Sequence, residues 1–355
     1  MMSSLKGRDL LVSTDWNKSE LDLALDLALK FKKMGAASRC LDILKGKSTL
    51  LLFFRPSTRT RLSFTVGMQE LGGFVQIPSP SDTRLTLEKK ATTLEASESL
   101  KDTALVVERY VDAVGIRGPS YPIPDENGVP RAGGADVTQR EYANCTRVPV
   151  INMSSCLHAP TQGMADMMTM KESLGDVKGK KLVVMWAYTS LLRNLVASQE
   201  VALIGATYGM NVTIAYPEGH DFHPATMSLI RGEIAKSGGK LEISHDYKKA
   251  LEGADTVYAR NWWSHDYYIN SREEEQRLAA KHKDWRLTES LLKLTNNARF
   301  MNPMPFERGA EVDDGVADGP NSVVYDEAEN LKHVRKAVLA LVLSESGTIE
   351  SILKR

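Results

Sequence analysis

Ser57-Thr58-Arg59-Thr60-Arg61 follows Arg55-Pro56 at the end of an apolar run, and those types in that order make an anion site. Residues 48–54 have the strand-like composition of Ser-Thr-Leu-Leu-Leu-Phe-Phe, Pro56 interrupts the run, and a helical pattern starts at Ser57 and Thr58. At such a junction free backbone N–H groups and the positive end of the helix dipole meet at residues 57–60. The hydroxyls and the guanidinium groups of Arg59 and Arg61 can converge there on one phosphate. The plainer reading is an N-capped helix whose arginines face water. The concentration of cations and hydroxyls over so few positions favours phosphate.

Further polar groups fall at the ends of predicted strands or in the loops after them: Arg117 after strand 112–116, His158 with Gln162 after strand 148–153, and Arg260 with Asn261 after strand 256–259. In an open α/β sheet that carboxyl edge is where ligands bind. Singly, Arg117 reads equally as a surface residue, His158 as a satisfied core or loop histidine, and Gln162 as a helix cap. Their common edge makes the joint reading the stronger one.

The elements that must position these groups alternate. Asn17-Lys18-Ser19-Glu20 has capping-box spacing and opens a helix over 18–34. Strand 48–54 feeds the anion motif, and its helix runs to Gly72-Gly73. Strand 74–77 leads to a polar segment, 78–98, with no apolar face, which reads as a mobile loop. A helix from Ser99, strand 112–116, a Pro/Gly-rich surface excursion over 119–134, strand 148–153 and a helix over 164–174 follow. The pattern then restarts: strands at 181–186, 212–216, 241–244, 256–259 and 299–301 alternate with helices at 196–210, 223–236, 247–251 and 273–282, before a last helix at 327–344. Strands alternating with helices argue parallel sheets. The fold expected is α/β, two tandem domains each built on a parallel sheet flanked by helices, with the C-terminal helix packing back on the first. The boundaries expected are 1–155, 156–330 and 331–355.

Composition narrows the partners. Lys plus Arg equals Asp plus Glu over the 355 residues, so no global field draws in nucleic acid or an anionic membrane, and anion chemistry must be local. Cys40, Cys145 and Cys156 form no metal-ligand spacing, which with the lack of a signal-like start leads us to expect a reducing cytoplasmic setting. The apolar run 337–343 is too short to cross a bilayer. No Gly-x-Gly-x-x-Gly follows a strand, which weakens a dinucleotide-binding oxidoreductase.

At this point the residues carry a resemblance. Residues 54–61 resemble the carbamoyl-phosphate signature of the aspartate/ornithine carbamoyltransferase family. Glu98-Ser99-Leu100-Lys101-Asp102-Thr103-Ala104, Tyr110-Val111-Asp112-Ala113-Val114-Gly115-Ile116-Arg117, residues 158–166 and Asp326-Glu327-Ala328-Glu329-Asn330 are similar to its later blocks, in order. The likeness runs over about residues 16–343. Residues 184–188, 254–262 and 294–297 resemble the branch acting on N-acetylornithine or N-succinylornithine and related transcarbamylases of uncertain substrate.

The resemblance implies transfer of the carbamoyl group of carbamoyl phosphate to the primary amine of an amino acid. It implies that residues 1–155 form the carbamoyl-phosphate-binding domain and that Ser57, Thr58, Arg59, Thr60, Arg61 and Arg117, with His158 and Gln162 just beyond it, bind carbamoyl phosphate, Arg59, Arg117, His158 and Gln162 being catalytic. Residues 156–330 would bind the amine through Arg260, Asn261, Trp262, Asn302, Pro303, Met304 and Arg308. It implies a homotrimer, with Arg84 of the polar loop reaching a neighbour's site. Neither metal nor organic cofactor is expected, since positioning and charge stabilisation supply the acceleration.

Two departures bear on the acceptor. The family's His-Pro-x-Gln is His158-Ala159-Pro160-Thr161-Gln162 here, one residue longer, and its His-Cys-Leu-Pro or His-Pro-Leu-Pro is Asn302-Pro303-Met304-Pro305. The missing cysteine, and Arg260 where ornithine enzymes place an aspartate, point away from a free α-ammonium and toward a carboxylate or acylated amine. The alternatives are an ornithine or aspartate carbamoyltransferase, or a regulatory paralogue with weakened turnover.

Overall fold

The computed structural model describes residues 4–79, 98–119, 123–124, 130–131, 133–264, 267 and 269–354. They divide into two compact units, Met1–Met164 with Asn330–Arg355, and Ala165–Glu329.

In the first unit the capping box operates as its spacing predicts: Asn17 accepts from the Glu20 N–H, the Glu20 carboxylate accepts from the Asn17 N–H, and α1 runs Lys18–Met34. There follow β1 (Ser48–Phe53), α2 (Thr58–Glu70), β2 (Phe74–Gln76), α3 (Leu100–Val107), β3 (Ala113–Arg117), a short antiparallel pair of β4 (Ile123–Pro124) and β5 (Pro130–Arg131), α4 (Gly134–Cys145) and β6 (Val150–Ser154). The main sheet is parallel throughout, in the order β2-β1-β3-β6. Leu50, Leu52, Val114, Ile116 and Val150 pack against Leu100 and Ala104 of α3 and Tyr142 and Ala143 of α4. Register places Phe53 beside Arg117, and Arg117 beside Ser154 after a shift between Ile116 and Arg117. The start of α2, Arg117 and the turn after β6 therefore share one sheet edge.

Next come α5 (Pro160–Leu174), β7 (Lys181–Trp186), α6 (Val196–Thr207), β8 (Asn211–Ala215), α7 (Pro224–Ser237), β9 (Lys240–Ser244), α8 (Tyr247–Leu251), β10 (Thr256–Arg260), α9 (Arg272–Ala279), α10 (Glu289–Leu292), β11 (Arg299–Met301), α11 (Asp314–Ala317), α12 (Val324–Leu343) and α13 (Ser346–Lys354). The second unit's sheet is also parallel, in the order β11-β10-β7-β8-β9, and aligns Arg260 with Trp186 at the carboxyl ends of β10 and β7.

From Asn330 onward α12 packs on the first unit. The Lys336 ammonium, fully buried, lies 2.8 Å from Glu70 Oε2 and 4.9 Å from the Phe31 ring centroid. Lys32 donates to Asn330 Oδ1 at 2.9 Å. Gly67 of α2 faces this contact, where an added Cβ would stand 3.4 Å from the Lys336 Cα.

The structure corrects several sequence expectations. Residues 134–145 form a helix where none was expected, α5 begins at Pro160 rather than 164, and α13 follows what was expected to be the last helix. The polar segment 78–98 lies mostly outside the described residues. Among the described residues no helix is long and apolar enough to cross a membrane.

Candidate active site

Pro56 ends the strand, and Ser57, extended at φ −162°, caps α2: its Oγ accepts from the Thr60 N–H at 3.3 Å and donates to Thr60 Oγ1 at 2.9 Å. Thr58 and Arg59 occupy the helix's first turn, where the N–H groups without intrahelical partners lie. Arg117, half-buried at the end of β3, reaches within 3.4 Å of both Thr60 Oγ1 and the Met153 carbonyl, and its Nε has no hydrogen-bond partner among the described residues. Arg55 crosses to the end of β6, where Nη2 lies 2.5 Å from Ser154 Oγ and 3.3 Å from the Ser155 carbonyl. Burial pushes the Arg117 guanidinium down to about 8, and the charges of Arg55, Arg335 and Arg59 push the same way. Cations held this close repel one another until an anion joins them.

The turn after β6 positions His158. Its carbonyl accepts from the Ser155 N–H at 2.8 Å and from Asn152 Nδ2 at 3.3 Å, and Asn152 also donates to the Leu11 carbonyl at 2.8 Å. Asp136, from α4, accepts from the N–H groups of Cys156 and Leu157 at 3.2 and 3.1 Å and from the Ser155 hydroxyl. Desolvation raises the Asp136 carboxyl, and the His158 charge is the largest influence opposing it. The residue added at Ala159 is absorbed at the helix start: its carbonyl accepts from Gln162 and Gly163 N–H at 2.8 and 3.2 Å, and Pro160 takes the first helical position. Gln162 is thereby buried in the first turn of α5. A cavity of about 330 Å³ borders His158, lined also by Leu11, Asp136, Gln139 and Asn152.

In the second unit Arg260 is only 8% exposed, yet its Nε and Nη1 have no hydrogen-bond partner among the described residues. Asn261 holds the neighbouring loop, accepting from the Arg193 N–H and donating to the Ala187 carbonyl, each at 3.1 Å. The Nε of Arg193 is likewise buried without a partner, and its Nη2 lies 3.9 Å from Glu311. Glu311, fully buried, accepts from the Asn261 and Glu307 N–H groups at 2.9 and 2.7 Å. Desolvation raises its carboxyl, opposed first by the Arg260 charge. Glu307 accepts from the Thr189 hydroxyl. Below them Glu327 is pushed well above the usual carboxylate range by burial and by its hydrogen-bonded neighbour Asp166, and burial followed by the Asp166 charge raises the Tyr258 hydroxyl.

Several expected contacts are engaged elsewhere. Arg61 is exposed, with its guanidinium 5.0 Å over the Phe53 ring. Trp262 is fully buried in an aromatic cluster, donating to the His220 carbonyl at 2.8 Å and accepting from Trp186 Nε1 through its own carbonyl. Asn302 braces its own turn: its N–H donates to Glu327 Oε2 at 2.9 Å, its amide donates to the Ala259 carbonyl at 2.7 Å, and its Oδ1 accepts from the Met304 N–H at 2.8 Å. Met304 adopts φ +53° beside the buried Pro303. Arg308 is exposed and committed to Asp314 and Asp318 at 2.9 and 2.7 Å. Arg84 lies outside the described residues.

Residues 8–172 match the family model described as aspartate/ornithine carbamoyltransferase, carbamoyl-P binding domain, and residues 178–342 match its Asp/Orn binding domain. The chain belongs to the aspartate/ornithine carbamoyltransferase family. It is 34% identical to the N-acetylornithine carbamoyltransferase of Xanthomonas axonopodis pv. citri, over 96% of this chain and 98% of that one. To the ornithine carbamoyltransferase of Pyrococcus horikoshii it is 35% identical, over 97% and 98%. It also resembles the crystal structure of acetylornithine transcarbamylase complexed with acetylcitrulline, at a TM-score of 0.85 and 32% identity, covering 95% of this chain and all of that one.

Sequence reasoning about this carbamoyltransferase-family chain missed Arg55, Asp136 and Arg193 as candidate site residues, while Glu307 and Glu311, which follow Pro305, were expected with Arg308 to complete the amine pocket. Arg55 had a signal, since it stands inside the anion motif. Asp136 sits on the helix that was not anticipated, and Arg193 lies in a loop whose approach to Arg260 and Glu311 only the fold creates.

Proposed function

We propose that the chain transfers the carbamoyl group of carbamoyl phosphate to the primary amine of an N-acylated or otherwise carboxylate-bearing, ornithine-like amino acid, releasing phosphate. One observation carries the choice of acceptor: Arg260 is buried with two guanidinium N–H groups lacking a protein partner among the described residues. Burying such donors unpaired is unfavourable, and an acceptor's carboxylate or acyl oxygen satisfies them. A free α-ammonium would meet repulsion from Arg260 and Arg193 together. The kinship with N-acetylornithine carbamoyltransferases supports the same reading.

Ser57, Thr58, Arg59 and Thr60 take the phosphate at the start of α2, where helix-end N–H groups and guanidinium favour charge gathering on the leaving group. Arg117 and His158 donate to the carbamoyl oxygen as attack by the neutral amine makes it an oxyanion, and Gln162 orients the carbamoyl amide. Asp136 keeps the His158 turn in place. Carbon–nitrogen bond formation is followed by cleavage of the bond from carbon to the phosphate oxygen. In the second unit Arg260, Arg193 and Glu311 receive the acceptor, with Asn261 and Asn302 bracing the loops around them. The assembly we propose is a cytoplasmic homotrimer to which Arg84 contributes across subunits, acting in amino-acid metabolism such as arginine biosynthesis.

Phosphate release and ureido product, measured with carbamoyl phosphate and a panel of ornithine, N-acetylornithine, N-succinylornithine, aspartate, putrescine and diaminopropionate, test the proposal. An N-acylated or acidic acceptor is expected to give the highest kcat/KM. A clear preference for ornithine or putrescine would overturn the acceptor reading, and no turnover with any amine would overturn the activity.

A further inference from the structure

Arg335 lies outside every motif the sequence singles out, in the C-terminal helix α12, and its guanidinium is fully buried. Nη1 donates to Ser63 Oγ at 2.5 Å, Nε donates to Thr161 Oγ1 at 3.2 Å, and the group lies 5.0 Å over the Phe64 ring. Ser63 belongs to α2 and passes the chain of bonds on, its hydroxyl donating to the Arg59 carbonyl at 2.6 Å. Thr161 stands beside Gln162 in the first turn of α5. One side chain thus ties together the opening turns of the two helices that carry Arg59 and Gln162.

Its charge is unusual. Among the described residues no carboxylate pairs with Arg335, and the charged group that acts on it is another cation, Arg59. Two hydroxyls and an aromatic face are modest compensation for a desolvated guanidinium. Burial with Arg59 nearby pushes Arg335 down to about 9, and Arg335 in turn bears on Arg117. A chain has little reason to bury such a cation near Arg59 and Arg117 unless an anion completes the set.

We propose that Arg335 is a positioning residue of the anion site, whose counter-charge is the bound phosphate group itself. The inference rests on the reading of residues 57–61 as the phosphate cradle and extends that cradle to the C-terminal helix. Buried under α2, Arg335 acts on the ligand through the field at Arg59, Arg117 and the helix start, and through the hydroxyl bonds that hold the two helix openings together. At an effective dielectric constant of about 20, a unit charge need not touch an anion to matter: at any separation up to about 12 Å the interaction is worth a factor of about ten or more in affinity.

The test compares the full-length wild type with Arg335→Met and Arg335→Lys, using inorganic phosphate as probe in calorimetry and thermal unfolding, and steady-state kinetics with the acceptor found above. The expected result for Arg335→Met is an unfolding midpoint at or above wild type without anion, phosphate bound about tenfold more weakly, a KM for carbamoyl phosphate raised to match, and an unchanged KM for the acceptor. Arg335→Lys, which keeps the charge, is expected to recover most of the phosphate affinity. A merely structural arginine gives the opposite pattern, and either a lowered midpoint with unchanged phosphate affinity or failure of Arg335→Met to fold overturns the proposal. If wild type itself shows no phosphate-induced shift, the cradle reading has failed instead, which separates the two ideas.

Discussion

Replacing Arg260 by glutamine tests the proposed role of this buried guanidinium in acceptor recognition. The guanidinium is buried, and its Nε and Nη1 N–H groups have no protein partner among the described residues. Hydrogen bonds to charged groups contribute about 1.5–3 kcal/mol each, and truncating one side of a buried charged pair costs about 2–5 kcal/mol. Glutamine retains one neutral donor, returning about 1 kcal/mol, so the net loss is about 2–4 kcal/mol, a factor of about 30 to 10³ in kcat/KM for an acidic or N-acylated acceptor. The fold is expected to survive, because Glu311 keeps its bonds from the Asn261 and Glu307 N–H groups and Arg193 at 3.9 Å. Arg260→Lys, a point charge without the planar fork, should fall between, near a tenfold loss. The assay is ureido product formation at saturating carbamoyl phosphate, with the KM for carbamoyl phosphate as control, expected to move less than about twofold. A folded Arg260→Gln whose acceptor kcat/KM stays within about threefold of wild type would refute the assignment.

Three other outcomes follow from the same geometry. Arg59→Ala is expected to abolish measurable carbamoyl phosphate binding by calorimetry while leaving the circular dichroism spectrum unchanged, and retained affinity would remove Arg59 from the cradle. Asp136→Asn keeps the side chain's size but weakens its hold on the Ser155, Cys156 and Leu157 donors; kcat should fall about tenfold to a hundredfold, with stability lowered by about 1–3 kcal/mol in urea unfolding. His220, buried against Trp186 and beside His282, is pushed down to about 4, so the unfolded chain takes up its proton first on acidification. Its contribution, fully present above about pH 6.5, is lost as pH falls toward 4, by about 3 kcal/mol. His220→Phe should flatten that limb in unfolding measured across pH, and an unchanged slope would count against it.

What the sequence makes legible depends on how strongly residues mark their own surroundings. The Asn17 to Glu20 box, the Arg55-Pro56 break and the glycines after α2 are local signals, and the elements they predict stand where expected. Helix α4 has no such markers: Gly133 before it is left-handed at φ +76° and offers no side-chain cap, and its buried face is Ala135, Thr138, Gln139, Tyr142 and Ala143. Small and polar residues facing inward hide the helical period from hydropathy, and Asp136 is hidden with them. Charge misleads in the same way. Arg61 and Arg308 stand beside motif residues in sequence, yet one rests on Phe53 and the other on Asp314 and Asp318. Arg335, flanked by Val334 and Lys336, carries no local mark of burial in the sequence and is fully buried.

The two segments that depart from the family pattern invite the reading of a site in decay, and their local structure argues against it. Lost function relaxes packing, leaving slack turns and unanswered polar groups. Here the added Ala159 supplies the carbonyl that receives the first helical bonds of α5, while His158 stays tied to Ser155 and Asn152. Met304 holds a left-handed backbone at φ +53°, a conformation that costs a non-glycine residue about 1–3 kcal/mol and persists only where neighbours over-determine it. Asn302 does so, with bonds to Met304, Ala259 and Glu327, and Glu327 is itself fastened to buried Asp166. A turn strained and braced in this way, in the same unit as the unpaired donors of Arg260, is neither slack nor unpacked. The order kept in both segments favours the proposed change of acceptor over a loss of turnover in this carbamoyltransferase-family chain.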